Sequence, residues 1–209
     1  MTMHAIMRMG PVIPVVVIEH VSQAIPLADA LADGGINVIE ITLRSDAALD
    51  CIAAIASQLP QMTVDAGTVL IPAQMQAAKD AGAAFAVSPR AYPYLIKASA
   101  ASNLPLSPGA ATASEMMALM AAGLTEMKFF PAAVAGGIDY LRAVASPLAD
   151  AVFCPTGGIS AETAADWLAL SNVACVGGTW VAPRDLLAAG DFATITARAK
   201  ACQRLSNRP

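Results

Sequence analysis

Short apolar runs alternate with Ala-rich segments of helical period along the whole of this chain, and few folds accommodate that pattern. Apolar runs at 12–18, 37–43, 63–67, 84–88, 105–107, 125–130, 151–154 and 173–176 read as strands. Between them, apolar residues recur at helical spacing, as in Ala24, Leu27, Ala28 and Leu31, or Leu49, Ile52, Ala53 and Ala56. Gly34-Gly35 marks the end of the first of these helices. Thr112-Ala113-Ser114-Glu115 has the spacing of a capping box, and Asp191 opens a last helix with Phe192, Ile195, Ala199 and Cys202 on one face. Strand–helix units of roughly 25 residues require parallel strands, because such crossovers are long and right-handed. Eight of them predict an α/β fold, a closed (β/α)8 TIM barrel in a single domain spanning 1–209, with a lead-in at 1–10 and a C-terminal helix and tail at 191–209. A doubly wound open sheet is the alternative, but it gives no reason for polar residues to converge from strands two, three, six, seven and eight.

Composition narrows the function. Charged residues are 13% of the chain and apolar residues 56%, with a mean hydropathy of +0.58. No window supplies the ~18 uninterrupted apolar residues of a membrane span, so the excess apolar surface is expected against other subunits. Residues 1–10 carry Arg8 without a long apolar stretch or a cleavage site, and read as a cytoplasmic lead-in. A net charge of −4 provides no basic stripe for nucleic acid. A single small phosphate is still allowed, since backbone amides bind it without net positive charge. Cys51, Cys154, Cys175 and Cys202 lie far apart in apolar runs and read as buried free thiols. His4 and His20 are too distant to suggest a metal pair, so no metal site is expected.

The chain has four lysines, and Lys79, Lys97 and Lys200 fall in helical segments where a solvated ammonium costs little. Lys128 stands in Glu126-Met127-Lys128-Phe129-Phe130-Pro131, near the end of an apolar strand. An ammonium in such surroundings loses hydration, which favours the neutral amine, a nucleophile that forms Schiff bases with ketones. A snorkelling lysine with its head in water is the alternative. Glu40, Thr42 and Arg44 share one strand parity, as do Glu126, Lys128 and Phe130, so Glu40, Arg44 and Lys128 can face one cavity. A structural ion pair without chemistry would give the same pattern. Two glycine pairs add to it: Thr156-Gly157-Gly158 after the seventh strand and Gly177-Gly178-Thr179 after the eighth. These are the positions at which phosphate-binding barrels hold their anion. Ser160 is placed to cap the helix that follows.

The ordered set Pro11-Val12-Ile13-Pro14-Val15, Val38-Ile39-Glu40-Ile41-Thr42-Leu43-Arg44, Ala66-Gly67-Thr68-Val69-Leu70, Ser88-Pro89, Pro108-Gly109, Lys128-Phe129-Phe130-Pro131-Ala132, Phe153-Cys154-Pro155-Thr156-Gly157-Gly158-Ile159 and Gly177-Gly178-Thr179-Trp180 resembles the bacterial 2-keto-3-deoxy-6-phosphogluconate (KDPG) and 4-hydroxy-2-oxoglutarate (KHG) aldolase family. The resemblance implies a (β/α)8 barrel, a cytoplasmic homotrimer, and a class I aldolase that needs neither metal nor other cofactor. Its substrate would be a small 2-keto acid phosphate, with no nucleic-acid or membrane partner. It assigns Lys128 as the Schiff-base lysine and Glu40 as the general acid/base. Arg44, Thr68, Pro89 and Phe130 would bind substrate, and Thr156, Gly157, Gly158, Gly178 and Thr179 its phosphate. The family commonly has serine at the place of Thr179.

Three positions depart from the family pattern. Asp65 stands where a small residue is usual, Arg90 where glycine is, and Ala133 where many members have glutamate. The expected reaction is cleavage of KDPG to pyruvate and glyceraldehyde 3-phosphate. Other readings are a KHG or 2-keto-3-deoxy-6-phosphogalactonate aldolase, a phosphosugar isomerase, and an inactive barrel that binds a phosphate ligand.

Overall fold

The computed structural model describes residues 1–206 of the chain. Residues 207–209, the end of the expected C-terminal tail, lie outside the described residues. Nine strands appear among the described residues: β1 (Val12–Val16), β2 (Val38–Thr42), β3 (Thr63–Gly67), β4 (Ala86–Val87), β5 (Leu106–Ser107), β6 (Gly109–Ala110), β7 (Glu126–Phe129), β8 (Val152–Pro155) and β9 (Val176–Gly178). All pair in parallel. A six-stranded sheet has the order β5-β4-β3-β2-β1-β9, and a three-stranded sheet the order β6-β7-β8. Isolated parallel bridges join Phe153 to Val173 and Thr156 to Gly177.

Every residue of β1, β2 and β3 is buried. That explains why these strands read as near-continuous apolar runs, since parallel strands are covered on both faces. The covering helices are α1 (Met3–Ile6), α2 (Ala24–Asp33), α3 (Ala48–Gln58), α4 (Pro72–Asp80), α5 (Pro93–Ser102), α6 (Ala113–Ala121), α7 (Gly137–Val144), α8 (Ala164–Leu168), α9 (Arg184–Ala189) and α10 (Phe192–Gln203). The capping box forms as read: the Glu115 amide donates to Thr112 Oγ1 at 3.3 Å, and the Thr112 amide to Glu115 Oε2 at 2.9 Å. Asp191 caps α10, its Oδ1 accepting from the Thr194 amide at 3.0 Å.

Four expectations change. The lead-in contains α1, whose end buries Ile6 and Met7, because burying two large apolar side chains suffices to dock a short helix. The fifth strand is two short ladders, β5 and β6, interrupted at Pro108, which has no amide to donate. The last strand is Val176–Gly178, so Gly177 and Gly178 lie within it; glycine carries no side chain by which periodicity could have extended the run. Ser160 does not cap α8. Its hydroxyl donates to Glu162 Oε2 at 2.6 Å, and the helix begins at Ala164.

Candidate active site

Parallel strands covered on both faces leave no wet surface for a charge, so a buried ionisable group stands out. Among the described residues the buried charged side chains are Glu40, Asp65 and Lys128, at 4%, 0% and 6% exposure. The fold brings all three together. Register places Glu40 of β2 beside Asp65 of β3. Lys128 arrives on β7, between Gly109 of β6 and Cys154 of β8. Lys128 Nζ donates to Glu40 Oε1 at 3.0 Å and Oε2 at 3.3 Å. The structure thus pairs the amine with a specific carboxylate, the ion-pair arrangement that the strand parity also allowed. Gly67, two residues beyond Asp65, gives Glu40 its room, since a Cβ there would lie 2.4 Å from Glu40 Oε1.

Asp65 differs from the pair. Neither of its carboxylate oxygens has a hydrogen-bond partner. Burial first, and the neighbouring Glu40 next, push its carboxyl well above the ordinary carboxylate range. The Lys128 ammonium and the Ile41 amide pull the other way without closing a hydrogen bond on either oxygen.

Above the lysine lies a cavity of about 290 Å³. Arg44, Thr68, Pro89, Lys128 and Phe130 line it together with Thr156, Gly157, Gly158, Gly178 and Thr179. Every site residue expected from the sequence except Glu40 is therefore on one surface. Glu40 sits behind Lys128, on a second cavity of about 10 Å³ that it shares with Lys128 and Asp65. Arg44 projects beyond the end of β2, and its Nε donates to Thr68 Oγ1 at 3.3 Å. Thr68 has φ of 61°, a left-handed conformation uncommon for a β-branched residue and met most often at functional sites. Lys128 Nζ is 5.5 Å from the centre of the Phe130 ring.

The Thr156–Gly158 turn offers main chain to the same cavity. Gly157 and Gly158 have φ of 100° and 77°, and those left-handed values are what glycine permits. Consecutive amides in such a turn can converge on an anion. Thr179 is exposed at the end of β9 and adds a hydroxyl. Gly178 is a packing requirement as well, because a Cβ there would lie 1.7 Å from the Trp180 ring. Sequence reasoning missed three features: Gly67 as the space for Glu40, Met3 and Met7 of α1 lining the inner cavity, and Arg90, whose Nη1 donates to the Phe130 carbonyl at 2.8 Å. For Arg90 the departure from the family pattern was the available signal.

The arrangement can hold a 2-keto acid with its carboxylate toward Arg44 and its ketone over Lys128. A family model for KDPG and KHG aldolase matches residues 3–198. The KHG/KDPG aldolase of Escherichia coli K12 is 47% identical over 196 residues, covering 94% of this chain and 92% of that protein. Among solved structures, the KDPG aldolase of Legionella pneumophila, with pyruvate captured as a covalent carbinolamine intermediate, aligns with a TM-score of 0.95 at 40% identity over 97% of this chain and 98% of the other. The Zymomonas mobilis enzyme with 3-phosphoglycerate aligns with a TM-score of 0.91 at 42% identity, covering 98% and 96%.

Proposed function

The chain belongs to the KDPG and KHG aldolase family, and from that premise we propose that it cleaves 2-keto-3-deoxy-6-phosphogluconate to pyruvate and glyceraldehyde 3-phosphate through a Schiff base on Lys128. The observation that carries this reading is the 3.0 Å contact of Lys128 Nζ with Glu40 Oε1, at the floor of the 290 Å³ cavity. Lys128 passes its proton to Glu40 and attacks the C2 ketone as the free amine. Glu40 returns the proton to the departing hydroxyl, water leaves, and an iminium remains. The C3–C4 bond then breaks and its electrons flow into the iminium, giving an enamine. Glu40, through a water, takes the C4 hydroxyl proton as the aldehyde forms, and then delivers it to C3. Hydrolysis of the new iminium frees pyruvate and regenerates the amine. Arg44, with Thr68, neutralises the substrate carboxylate, Pro89 and Phe130 wall the carbon chain, and the Thr156–Gly158 and Gly178–Thr179 main chain binds the phosphate.

Borohydride reduction in the presence of pyruvate tests the assignment. It should add one pyruvyl-derived mass to the peptide carrying Lys128, and Lys128→Ala should abolish the adduct. Labelling at Lys97 instead would sink it. Because the Escherichia coli relative is named for both substrates, 4-hydroxy-2-oxoglutarate is the second candidate. Rates of pyruvate release from the two compounds, and from the galactonate epimer, decide the preference.

The same reading extends to architecture. We propose that the two sheets are arcs of one (β/α)8 barrel forming a single domain. The Thr156–Gly177 bridge and the one-residue gap at Pro108 support closure. We further propose a homotrimer, supported by the exposed apolar cluster of Leu70, Ile71, Tyr92 and Tyr94 and by a groove of about 640 Å³ between α5 and α6. Cysteine thiols buried in the core fit a reducing, cytoplasmic setting. Among the described residues no helix is long and apolar enough to cross a membrane.

A further inference from the structure

Of the three buried charged side chains, the reaction above uses two. Asp65 is fully buried beside Glu40, neither of its oxygens has a hydrogen-bond partner, and it shares the 10 Å³ inner cavity with Glu40 and Lys128. A charge count decides what it can be. With Glu40 and Asp65 both ionised and Lys128 protonated, the cluster holds one uncompensated negative charge, on a group neither of whose oxygens closes a hydrogen bond. With Asp65 neutral, the cluster balances. An unpaired buried carboxylate costs far more than a buried carboxyl.

That balance bears on the amine. When Lys128 gives its proton to Glu40, the site passes from an ion pair to two neutral groups, and no net charge is stranded. If Asp65 were ionised, the same transfer would leave its carboxylate alone in the interior, and the ammonium would be held in place. We infer that Asp65 is a positioning residue for Schiff-base formation, acting through Lys128: as a neutral carboxyl it leaves Glu40 the only counter-charge of the lysine, and its ionisation blocks release of the amine. The inference rests on the imine reading of the site. The titratable groups facing Asp65 are Glu40 on β2, Lys128 on β7 and Cys154 on β8, while α1 contributes only Met3 and Met7. Burial and the Glu40 charge place the ionisation of Asp65 on the alkaline side of ordinary carboxylates.

The test is the rate of borohydride trapping of pyruvate as a function of pH, in the wild type, Asp65→Asn and Asp65→Ala. Wild-type trapping should fall by about tenfold per pH unit above the pH at which Asp65 ionises, as expected for loss of one required proton. Neither variant has the carboxyl, so that fall should be absent from both, and the variant-to-wild-type ratio should climb by the same factor. A merely structural role would lower the rate by a constant ratio across pH, and that result overturns the inference. An alkaline fall that persists in Asp65→Asn but vanishes in Cys154→Ser assigns the proton to the thiol and also overturns it. If Asp65→Asn does not fold, the Asp65→Ala profile decides by the same criterion. No trapping in the wild type at any pH would instead overturn the imine reading, and this inference with it.

Discussion

A lysine that attacks a ketone must first put its proton somewhere, and the proposed acceptor is Glu40, 3.0 Å from Lys128 Nζ. Glu40→Gln keeps the shape of the side chain but cannot accept that proton at neutral pH. Exchange of pyruvate methyl protons with solvent should fall by roughly 10²–10⁴, the usual contribution of a general acid/base. Exchange needs the enamine but neither aldehyde nor phosphate, so it isolates this step. Exchange at the wild-type rate would reduce Glu40 to a structural partner. Asp65 makes a prediction about stability as well. Its carboxyl is raised on folding, so the folded state retains a proton that the unfolded chain gives up at about pH 4. The folded state is therefore favoured on the acid side, and stability is lost as pH rises from about 4 through the raised folded value. Asp65→Asn removes that loss. Its Tm should exceed the wild-type value at neutral pH, and the gap should close below about pH 4. A gap independent of pH would mean that Asp65 does not titrate on folding.

At the scale of the element, β3 and the loops after β8 and β9 do most to shape the site. Gly67 ends β3 directly against Glu40, and a methyl there would overlap the carboxylate. Gly67→Ala should push Glu40 off Lys128, with cleavage falling by on the order of 10²-fold while the far-ultraviolet circular dichroism stays native. Cleavage at the wild-type rate would show that Glu40 has another route to the amine. On the phosphate side, Gly178 is a poor probe, because any side chain there collides with Trp180. Thr179 is exposed, so Thr179→Ala removes one donor with little disturbance. A hydrogen bond to a charged group is worth about 1.5–3 kcal/mol, or roughly tenfold to a hundredfold in affinity. KM for the phosphorylated substrate should rise accordingly, and pyruvate proton exchange should not move. Equal losses in both assays would remove the hydroxyl from the phosphate site.

For the molecule as a whole, the apolar excess needs somewhere to go. Leu70, Ile71, Tyr92 and Tyr94 are exposed, and the two tyrosine rings stack with centroids 5.4 Å apart. If this face joins subunits, sedimentation of the wild type should give a trimer, and the double variant Ile71→Glu/Tyr94→Glu a monomer. A monomeric wild type would end that proposal. The sequence alone determined which segments are strands and helices wherever the signal is local. The 63–67 run is β3 residue for residue, and the caps at Thr112 and Asp191 form as read, because burial of a short apolar run and satisfaction of helix-end amides are settled within a few residues. It also supplied the residue types that make a Schiff-base site plausible. Where local signal was weak the reading failed: glycines hid β9, and four residues of α1 gave too short a period to register. Only the tertiary structure decided that Glu40 meets Lys128 in a small inner cavity, and that Asp65 makes a third member of the cluster. Lys128 and Glu40 are 88 residues apart, and Asp65 meets them only because β2 and β3 pair in one register while β7 faces them across the interior. Whether a buried carboxyl stays neutral depends on how many charges the fold gathers around it, which is a sum over space and not along the chain.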